Sequence, residues 1–204
     1  SEHFPFNVWA RLMRGIISNR SDELLSASPS GGVMELRKSI SDHLRQFRGI
    51  NAEPRQIIIG AGTEYLYGLI IQLLGHNKIY ALEDPGYKKL FDVYKSNNAE
   101  CVHISLDRKG VSIKEIKEKN ADVVHISPSH HFPTGIVMPV DRRYELLKWV
   151  AECSNRYIIE DDYDSEFRFT GKPVPALFGN DVHGKVIYMN TFTKSLASTI
   201  RISY

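Results

Sequence analysis

Cysteine is scarce in this sequence, which has only Cys101 and Cys153 among its 204 residues. The two cysteines lie far apart and form no CxxC pair, so the sequence offers neither a zinc ribbon nor a disulfide framework. This usage fits a reducing compartment, in which both residues are ordinary core or surface thiols.

An excess of charge of one sign is also lacking, because 26 basic residues stand against 24 acidic ones. This near balance excludes a broad basic surface for nucleic acid or another polyanion. No apolar run approaches the roughly 20 residues of a membrane span. The polar start SEHFPFN is not that of a signal peptide. We therefore expect no membrane contact and a cytoplasmic location.

What the sequence does contain is a regular alternation of short β-type runs and longer amphipathic runs. It predicts strands at residues 57–59, 79–82, 101–106, 123–126, 157–159 and 186–189. It predicts helices at residues 33–47, 65–74, 88–95, 110–119 and 141–153, the last with Tyr144, Leu147, Trp149 and Val150 in the core. This pattern is typical of an α/β fold, a three-layer α/β/α arrangement around a mainly parallel sheet.

Two segments of unequal size are predicted. Residues 1–32 form an N-terminal helical arm and loop, with Val8, Leu12, Ile16 and Ile17 at helical spacing. Residues 33–204 form the larger domain.

A glycine turn follows the first predicted strand. Ala61, Gly62 and Thr63 come after Gly60 and before a helix, so their amides could bind an anion at a helix N-terminus, with the Thr63 hydroxyl adding a further bond. The turn is neither G-x-G-x-x-G nor a P-loop. Glycines that serve packing alone are the alternative.

The stretch KVIYMNTFTKSLASTIRISY ends the chain with a lysine directly after a strand. We expect Phe192 and Leu196 to wall in Lys194 and so to favour its neutral amine, which can form an imine with an aldehyde. Arg201 and hydroxyls such as that of Thr191 suit a phosphate. The alternative is a surface lysine and arginine on an ordinary strand and loop.

Two further strand ends carry chemistry. Asp161, in EDDYDSE, could face a ring nitrogen and keep it protonated, with Tyr163 on the same side of the chain. Metal binding, acid–base chemistry and a solvated acidic loop are the alternatives. Tyr87 could stack on a planar ligand or cover the core. No ligand spacing completes a metal site at His130 and His131, so we expect no metal.

These loops all follow predicted strands, and the ligand crevice of an open α/β sheet lies just beyond such ends. Together they offer an anion cradle, an aromatic ring, a carboxylate, a phenol and a lysine. Pyridoxal 5′-phosphate (PLP) uses all five, through its phosphate, pyridine ring, ring nitrogen, phenolic oxygen and aldehyde.

The segments IIIGAGTEYLYGL, LEDPGY, SPSHHFPTG, IIEDDYDSEFR and NTFTKSLASTIRISY resemble the large domain of fold-type I PLP-dependent aminotransferases. They most resemble the aminotransferase-like effector domain of MocR-type regulators of the GntR family. The resemblance implies Lys194 as the Schiff-base lysine, Asp161 as partner of the pyridine nitrogen, Tyr163 as donor to the phenolic oxygen and Tyr87 as the stacking ring. It also implies a phosphate site made of Ala61, Gly62, Thr63, Thr191 and Arg201.

The resemblance leaves two functions open. In the regulator, an amino compound would displace Lys194 to form an external aldimine and be sensed, in a homodimer that contacts DNA only through an N-terminal domain absent from this chain. In a class I aminotransferase, Lys194 would shuttle a proton while an amino group passes from an amino acid to a 2-oxo acid. Phe132 stands where many such enzymes have asparagine, which favours the regulator.

Two expectations complete the sequence analysis. The chain stops in mid-strand by pattern, so we expect a truncated large domain without the C-terminal small domain of the family. An α/β module that binds some other phosphorylated ligand is a third reading.

Overall fold

The structure is a computed structural model that describes residues 4–164, 166 and 175–204. Its helices are α1 Phe6–Asn19, α2 Ser21–Leu24, α3 Met34–Arg48, α4 Thr63–Leu74, α5 Lys88–Ser96, α6 Ile113–Glu118, α7 Val140–Ala151 and α8 Phe192–Ser195. Its strands are β1 Ile79–Asp84, β2 Glu100–Asp107, β3 Gly110–Val111, β4 Val123–Ile126, β5 Tyr157–Asp161 and β6 Val186–Met189. Short 3-10 turns lie at Pro54–Gln56 and Phe178–Asn180.

The strands form one sheet in the order β3-β2-β1-β4-β5-β6. All neighbouring pairs are parallel except β2 and β3, which form a small antiparallel ladder. The chain moves outward from β1 to β2 and then returns to place β4 on the other side of β1. This reversal of strand order is a topological switch point, where open α/β sheets form their ligand crevice.

Helices cover both faces of the sheet because successive strand residues point to opposite sides. Val124 and Ile158 pack with Leu146 and Trp149 of α7 on one face. The alternate residues, including Tyr80 and Ile159, pack with α4 and α5 on the other face. A third cluster joins α3 to the region of Tyr204. The predicted three-layer α/β/α fold with a mainly parallel sheet is therefore confirmed.

The first predicted strand is wrong. Residues 57–59 form no ladder, and only Gly60 makes an isolated antiparallel bridge, to Ser203. Within the described residues, the β-branched run itself pairs with no strand. The Ile59 amide instead donates to the Gly31 carbonyl.

Two smaller predictions also need correction. Residues 110–119 are not one helix, because Gly110, with φ of +105°, and Val111 pair with β2 before α6 begins at Ile113. Tyr144 is 59% exposed and is not a core residue, whereas Trp149 and Val150 are buried as expected.

The N-terminal helices lie largely outside these cores. Neither α1 nor α2 contains a buried residue, and apolar side chains of α1, such as Phe6 at 67% exposed and Leu12 at 55%, face solvent. The division into an arm of residues 1–32 and a domain of residues 33–204 stays a prediction. Among the described helices, none is both long and apolar enough to cross a bilayer.

Candidate functional site

A cavity of about 560 Å³ lies at the carboxyl ends of the parallel strands. This volume is typical of small-molecule sites. Seven of the nine predicted site residues line the cavity, namely Thr63, Tyr87, Asp161, Tyr163, Thr191, Lys194 and Arg201. Ala61 and Gly62 lie in the adjoining turn and are not among the lining residues. The roles assigned to all nine stay predictions.

The glycine turn leads directly into α4. Gly62 caps the helix with φ of 99° and ψ of 164°, a backbone region that is open almost only to glycine. A Cβ there would come within 2.8 Å of Arg201 Nη2, so the absence of a side chain lets the guanidinium lie against the turn. The first amides of α4 have no acceptor within the helix, which suits an anion.

A carboxylate and two cations surround this helix start. Glu64 forms an ion pair with Lys89, and its Oε1 lies 3.9 Å from Arg201 Nη2. Lys89 also lines the cavity, although the sequence analysis did not single it out. The cavity therefore has two cations close to the helix N-terminus, and Glu64 neutralises part of their positive charge. A bound phosphate would be a second anion for the same two cations.

Thr191 is buried and lies at the N-cap of α8. Its hydroxyl lies 2.9 Å from those of Thr193 and Ser203, and its backbone bridges to Ser203. These contacts join the start of α8 to the segment that carries Arg201. They fix the direction in which α8 presents Lys194 to the cavity.

Lys194 lines the cavity but is exposed in this chain. The expectation that Phe192 and Leu196 would bury its amine is wrong here, because Leu196 is itself 46% exposed. The helix α8 has only four residues, and the side chains on either side of Lys194 do not close over it.

Asp161 ends β5 and is 8% exposed. Its Oδ2 accepts a hydrogen bond of 2.7 Å from the Tyr67 hydroxyl, and His125 Nε2 lies 3.6 Å from the same oxygen. Oδ1 is buried and has no hydrogen-bond partner within the described parts of the chain. The carboxylate therefore has acceptor capacity left for a ligand N–H.

Tyr67 and His125 were missed by the sequence analysis. Tyr67 lies in an apolar run that was predicted only as a helix, and its bond to Asp161 spans 94 positions of sequence. His125 did give a signal, since it interrupts the buried strand Val123–Ile126 with a polar side chain that needs a partner.

Neighbouring carboxylates are buried as well. Glu160 and Asp162 are 0% and 1% exposed, so the alternative of a solvated acidic loop is wrong for this stretch. Asp162 Oδ2 lies 2.9 Å from Arg48 Nε and accepts a hydrogen bond from Tyr188. Ser165, Phe167 and Arg168, which belong to the acidic motif, lie outside the described residues.

Two tyrosines border the cavity differently. The Tyr163 hydroxyl donates to the His130 carbonyl over 2.9 Å, and burial raises its pKa to about 12, so it is a protonated donor near neutral pH. Tyr163 lies beyond the end of β5 and is not part of the strand, yet it lines the cavity together with Asp161. Tyr87 is 53% exposed and meets Phe132 edge to face, with ring centroids 6.3 Å apart.

Glu83 is a second carboxyl group of the cavity that the sequence analysis did not assign. Its side chain is 8% exposed, Ser127 N donates to it over 2.9 Å, and His131 Nε2 lies 3.4 Å away. Burial raises the pKa of Glu83 to about 8, and it lowers the pKa of His131. Both groups are therefore largely neutral at neutral pH.

The chain is similar to known proteins of one family. The sequence matches the family described as "Aminotransferase class I and II" over residues 1–204. It is 43% identical to the uncharacterized HTH-type transcriptional regulator YdeL of Bacillus subtilis (strain 168), over all of this chain and 44% of that protein. It is 34% identical to the probable rhizopine catabolism regulatory protein MocR of Rhizobium meliloti, over 98% of this chain and 41% of that protein.

Solved structures give the same fold. The kynurenine aminotransferase of Pyrococcus horikoshii, crystallised in complex with PMP, is 28% identical, with a TM-score of 0.86 over 98% of this chain and 52% of that one. The chain spans less than half the length of the two regulators above. With a sequence match over its whole length and this fold, the chain belongs to the class I and II aminotransferase family.

Proposed function

We propose that this chain is the PLP-binding, aminotransferase-like domain of a MocR-type transcription regulator and that it senses an amino compound at Lys194. The observation that carries the proposal is the cavity, which gathers a lysine, a buried carboxylate with spare acceptor capacity, a phenol donor and an anion-binding helix start. The similarity to two regulators supports the regulatory part.

The side chains fit PLP group by group. Thr63 and Arg201, with the amides of the Gly62 turn, suit the phosphate, and Tyr87 suits the ring face. Asp161 has an unsatisfied oxygen for the ring nitrogen, the group that makes the bound cofactor an electron sink.

Two further residues complete the fit. The protonated Tyr163 hydroxyl can donate to the phenolic oxygen once it leaves the His130 carbonyl. Thr191 acts mainly through the position of α8, since its hydroxyl is already engaged by Thr193 and Ser203.

Lys194 carries the sensing step. Its amine would hold PLP through the cofactor's aldehyde, with loss of water, and the bound cofactor would supply an electrophilic carbon. The amine of a ligand could take the place of the Lys194 amine at that carbon and set the lysine free. This exchange changes the charge distribution at the strand ends, which can bias a two-state assembly.

The remaining parts of the proposal concern the whole protein. A homodimer is supported by the exposed apolar side chains of α1, which a second copy could cover. Contact with DNA through an N-terminal domain outside this chain, and a cytoplasmic location, follow from the similarity to HTH-type regulators. Phe132 lines the cavity and stands where many enzymes of this fold have asparagine.

An active aminotransferase is the second candidate, supported by the likeness to the Pyrococcus horikoshii enzyme. A panel of amino acids separates the two when the visible absorption of the cofactor and the formation of keto acid are followed together. Spectral change without keto acid supports the sensor, and keto acid with turnover supports the enzyme. If added PLP gives no visible band, both candidates are excluded. The remaining hypothesis is then an α/β module that binds another phosphorylated ligand.

The decisive variant is Lys194→Ala, which should abolish the visible imine band. Lys88→Ala is the matched control, since Lys88 is another exposed lysine at the cavity and should leave the band in place. An unchanged band in Lys194→Ala would exclude this residue as the attachment point.

Asp161→Ala should weaken PLP binding about 10- to 150-fold, because a charge-assisted hydrogen bond is worth roughly 1.5 to 3 kcal/mol. Equilibrium dialysis with PLP measures this directly. Affinity close to that of the unchanged protein would contradict the role of Asp161 at the ring nitrogen.

A further inference from the structure

A chain of buried polar groups surrounds the Asp161 carboxylate. Tyr67 of α4 donates to Oδ2 over 2.7 Å, and His125 of β4 points Nε2 at the same oxygen from 3.6 Å. On the far side of the imidazole, the Tyr94 hydroxyl of α5 lies 2.8 Å from Nδ1. Two elements, α4 and β4, thus meet at one carboxylate oxygen, and α5 contacts the far side of the imidazole.

The direction of the hydrogen bonds follows from the tyrosines. Burial raises the pKa of Tyr67 and of Tyr94 well above the ordinary value, so both phenols keep their protons. The Asp161 oxygen beside Nε2 favours the tautomer of His125 that carries its proton on that nitrogen. In this tautomer Nδ1 accepts a hydrogen bond from the Tyr94 hydroxyl.

Tyr67 thus donates to Oδ2, and Nε2 of His125 faces the same oxygen from 3.6 Å, just beyond hydrogen-bond distance. Within the described residues, Oδ1 is buried without a hydrogen-bond partner, and so is Nε2 of His125. A carboxylate with one oxygen bonded to Tyr67 and facing the imidazole is restrained in rotation about its χ2 axis, and its second oxygen is kept for another partner. Thr63 lies one helical turn before Tyr67 on the same side of α4. The start of α4, where the phosphate would bind, is therefore on the same helix as the residue that contacts the carboxylate.

We propose that Tyr67 and His125 are positioning residues that hold Asp161 in the orientation that a pyridine nitrogen requires. The proposal rests on the proposed function, since it concerns how the same site receives PLP. The two residues act through Asp161 and touch the cofactor only indirectly. Tyr94 contacts Nδ1 of His125 and so belongs to the same chain of contacts.

The test compares conservative variants by two measurements on the PLP-loaded protein. Tyr67→Phe removes the donor and keeps the ring, and it should weaken PLP binding about tenfold. The circular dichroism of the visible cofactor band, taken per bound cofactor, should fall by about half or more, because it depends on a fixed ring orientation. Tyr80→Phe is the control, since it removes another buried tyrosine hydroxyl, the one bonded to the Gly75 carbonyl.

His125 provides a second, independent pair. His125→Leu removes the donor, whereas His125→Gln keeps an N–H at the distance of Nε2. The leucine variant should reproduce the losses of Tyr67→Phe, and the glutamine variant should retain most of the affinity and the visible dichroism. This rescue would not occur if His125 were needed only to fill space, so the pair stays informative even if Tyr67→Phe folds poorly.

The outcomes separate this inference from the function on which it rests. If Tyr67→Phe and His125→Leu bind PLP like Tyr80→Phe, with unchanged dichroism per cofactor, the positioning role is wrong. The proposed function is unaffected by that result, because the unchanged protein still shows its visible band. If the unchanged protein gives no visible band with PLP, the proposed function itself fails, and this inference fails with it.

Discussion

Glu83 should make the stability of the fold depend on pH, and Glu83→Gln should remove that dependence. The side chain is buried against Ser127 N and His131, and it faces Asp161, whose charge also opposes ionisation of Glu83. Burial is the main cause of the rise of its pKa from 4.5 to about 8. Glutamine keeps an acceptor for Ser127 N and resembles the neutral carboxyl group.

The sign follows from proton linkage. Between about pH 4.5 and 8 the folded protein holds a proton on Glu83 that the unfolded chain releases, so the free energy of unfolding falls as pH rises. The contribution is fully present below pH 4.5 and is lost by about pH 8. One proton changes the free energy by at most about 1.4 kcal/mol per pH unit, so the whole effect is on the order of 5 kcal/mol.

Urea unfolding of both proteins at pH 5, 6, 7 and 8 measures the effect. Glu160 has a pKa raised to about 7 by burial and contributes a slope of the same sign, so the difference between the two proteins is the useful quantity. The free energy of unfolding of Glu83→Gln, minus that of the unchanged protein, should rise steadily from pH 5 to 8.

Glu118→Gln, at an exposed position of α6, is the control for the loss of one carboxylate. A difference between Glu83→Gln and the unchanged protein that stays constant across this pH range would refute the reasoning. It would mean that Glu83 is ionised in the folded protein, paired with a protonated His131.

Two further variants test the structure around the cavity. Arg48→Ala should lower the free energy of unfolding by about 3 to 5 kcal/mol, because it leaves the buried Asp162 charge without its cation. Urea unfolding measures this loss. Gly62→Ala should lower the free energy of unfolding by about 1 to 3 kcal/mol. It should also weaken PLP binding about tenfold, because the new methyl group displaces the Arg201 guanidinium. Thermal unfolding and equilibrium dialysis measure the two effects.

Each of these variants has a matched control. Arg45→Ala removes an arginine of the same helix whose ion pair with Asp42 is exposed, and it should change stability by less than about 1 kcal/mol. Gly75→Ala adds a methyl group at a similar backbone conformation, φ of 113° and ψ of 146°, at the other end of α4. It should lose stability without losing affinity, and an equal loss of affinity in both glycine variants would contradict the link to Arg201.

Local sequence patterns were enough to predict most of the fold. Short apolar runs gave β1, β4 and β6, and helical spacing gave α3, α4 and α7, because each of these elements buries one face or both. The pattern failed where pairing decides the structure. The Ile57 to Ile59 run has high β propensity but forms no ladder within the described residues, and Gly110 joins a ladder with β2 instead of starting a helix.

The site was predicted in part for the same reason. Residues at strand ends must meet at one edge of a parallel sheet, so Asp161 and Lys194 could be assigned to one cavity from their positions alone. Thr63 also lines the cavity, although the strand predicted before it is wrong. Tyr67 could not, because its contact with Asp161 depends on the packing of α4 against β5. The exposure of Lys194 could not be foreseen either, since it depends on what packs over a short helix and not on the neighbours in sequence.

The four buried carboxyl groups near the strand ends differ in what balances them, and this difference indicates which one is free to meet a cationic ligand. Glu160 accepts from the amides of Leu177 and Phe178 and lies 3.8 Å from Arg143, and Asp162 is paired with Arg48. Glu83 avoids the cost of a buried charge by keeping its proton.

Asp161 has only the Tyr67 hydroxyl and the His125 imidazole, and no arginine or lysine among the described residues lies within ion-pair distance of it. A buried carboxylate without an arginine or lysine partner is incompletely compensated. A protonated ring nitrogen would supply the missing positive charge, so we expect PLP binding to stabilise the fold. Asp161→Asn should reduce that gain in the melting temperature more than Glu83→Gln does, although both residues line the same cavity.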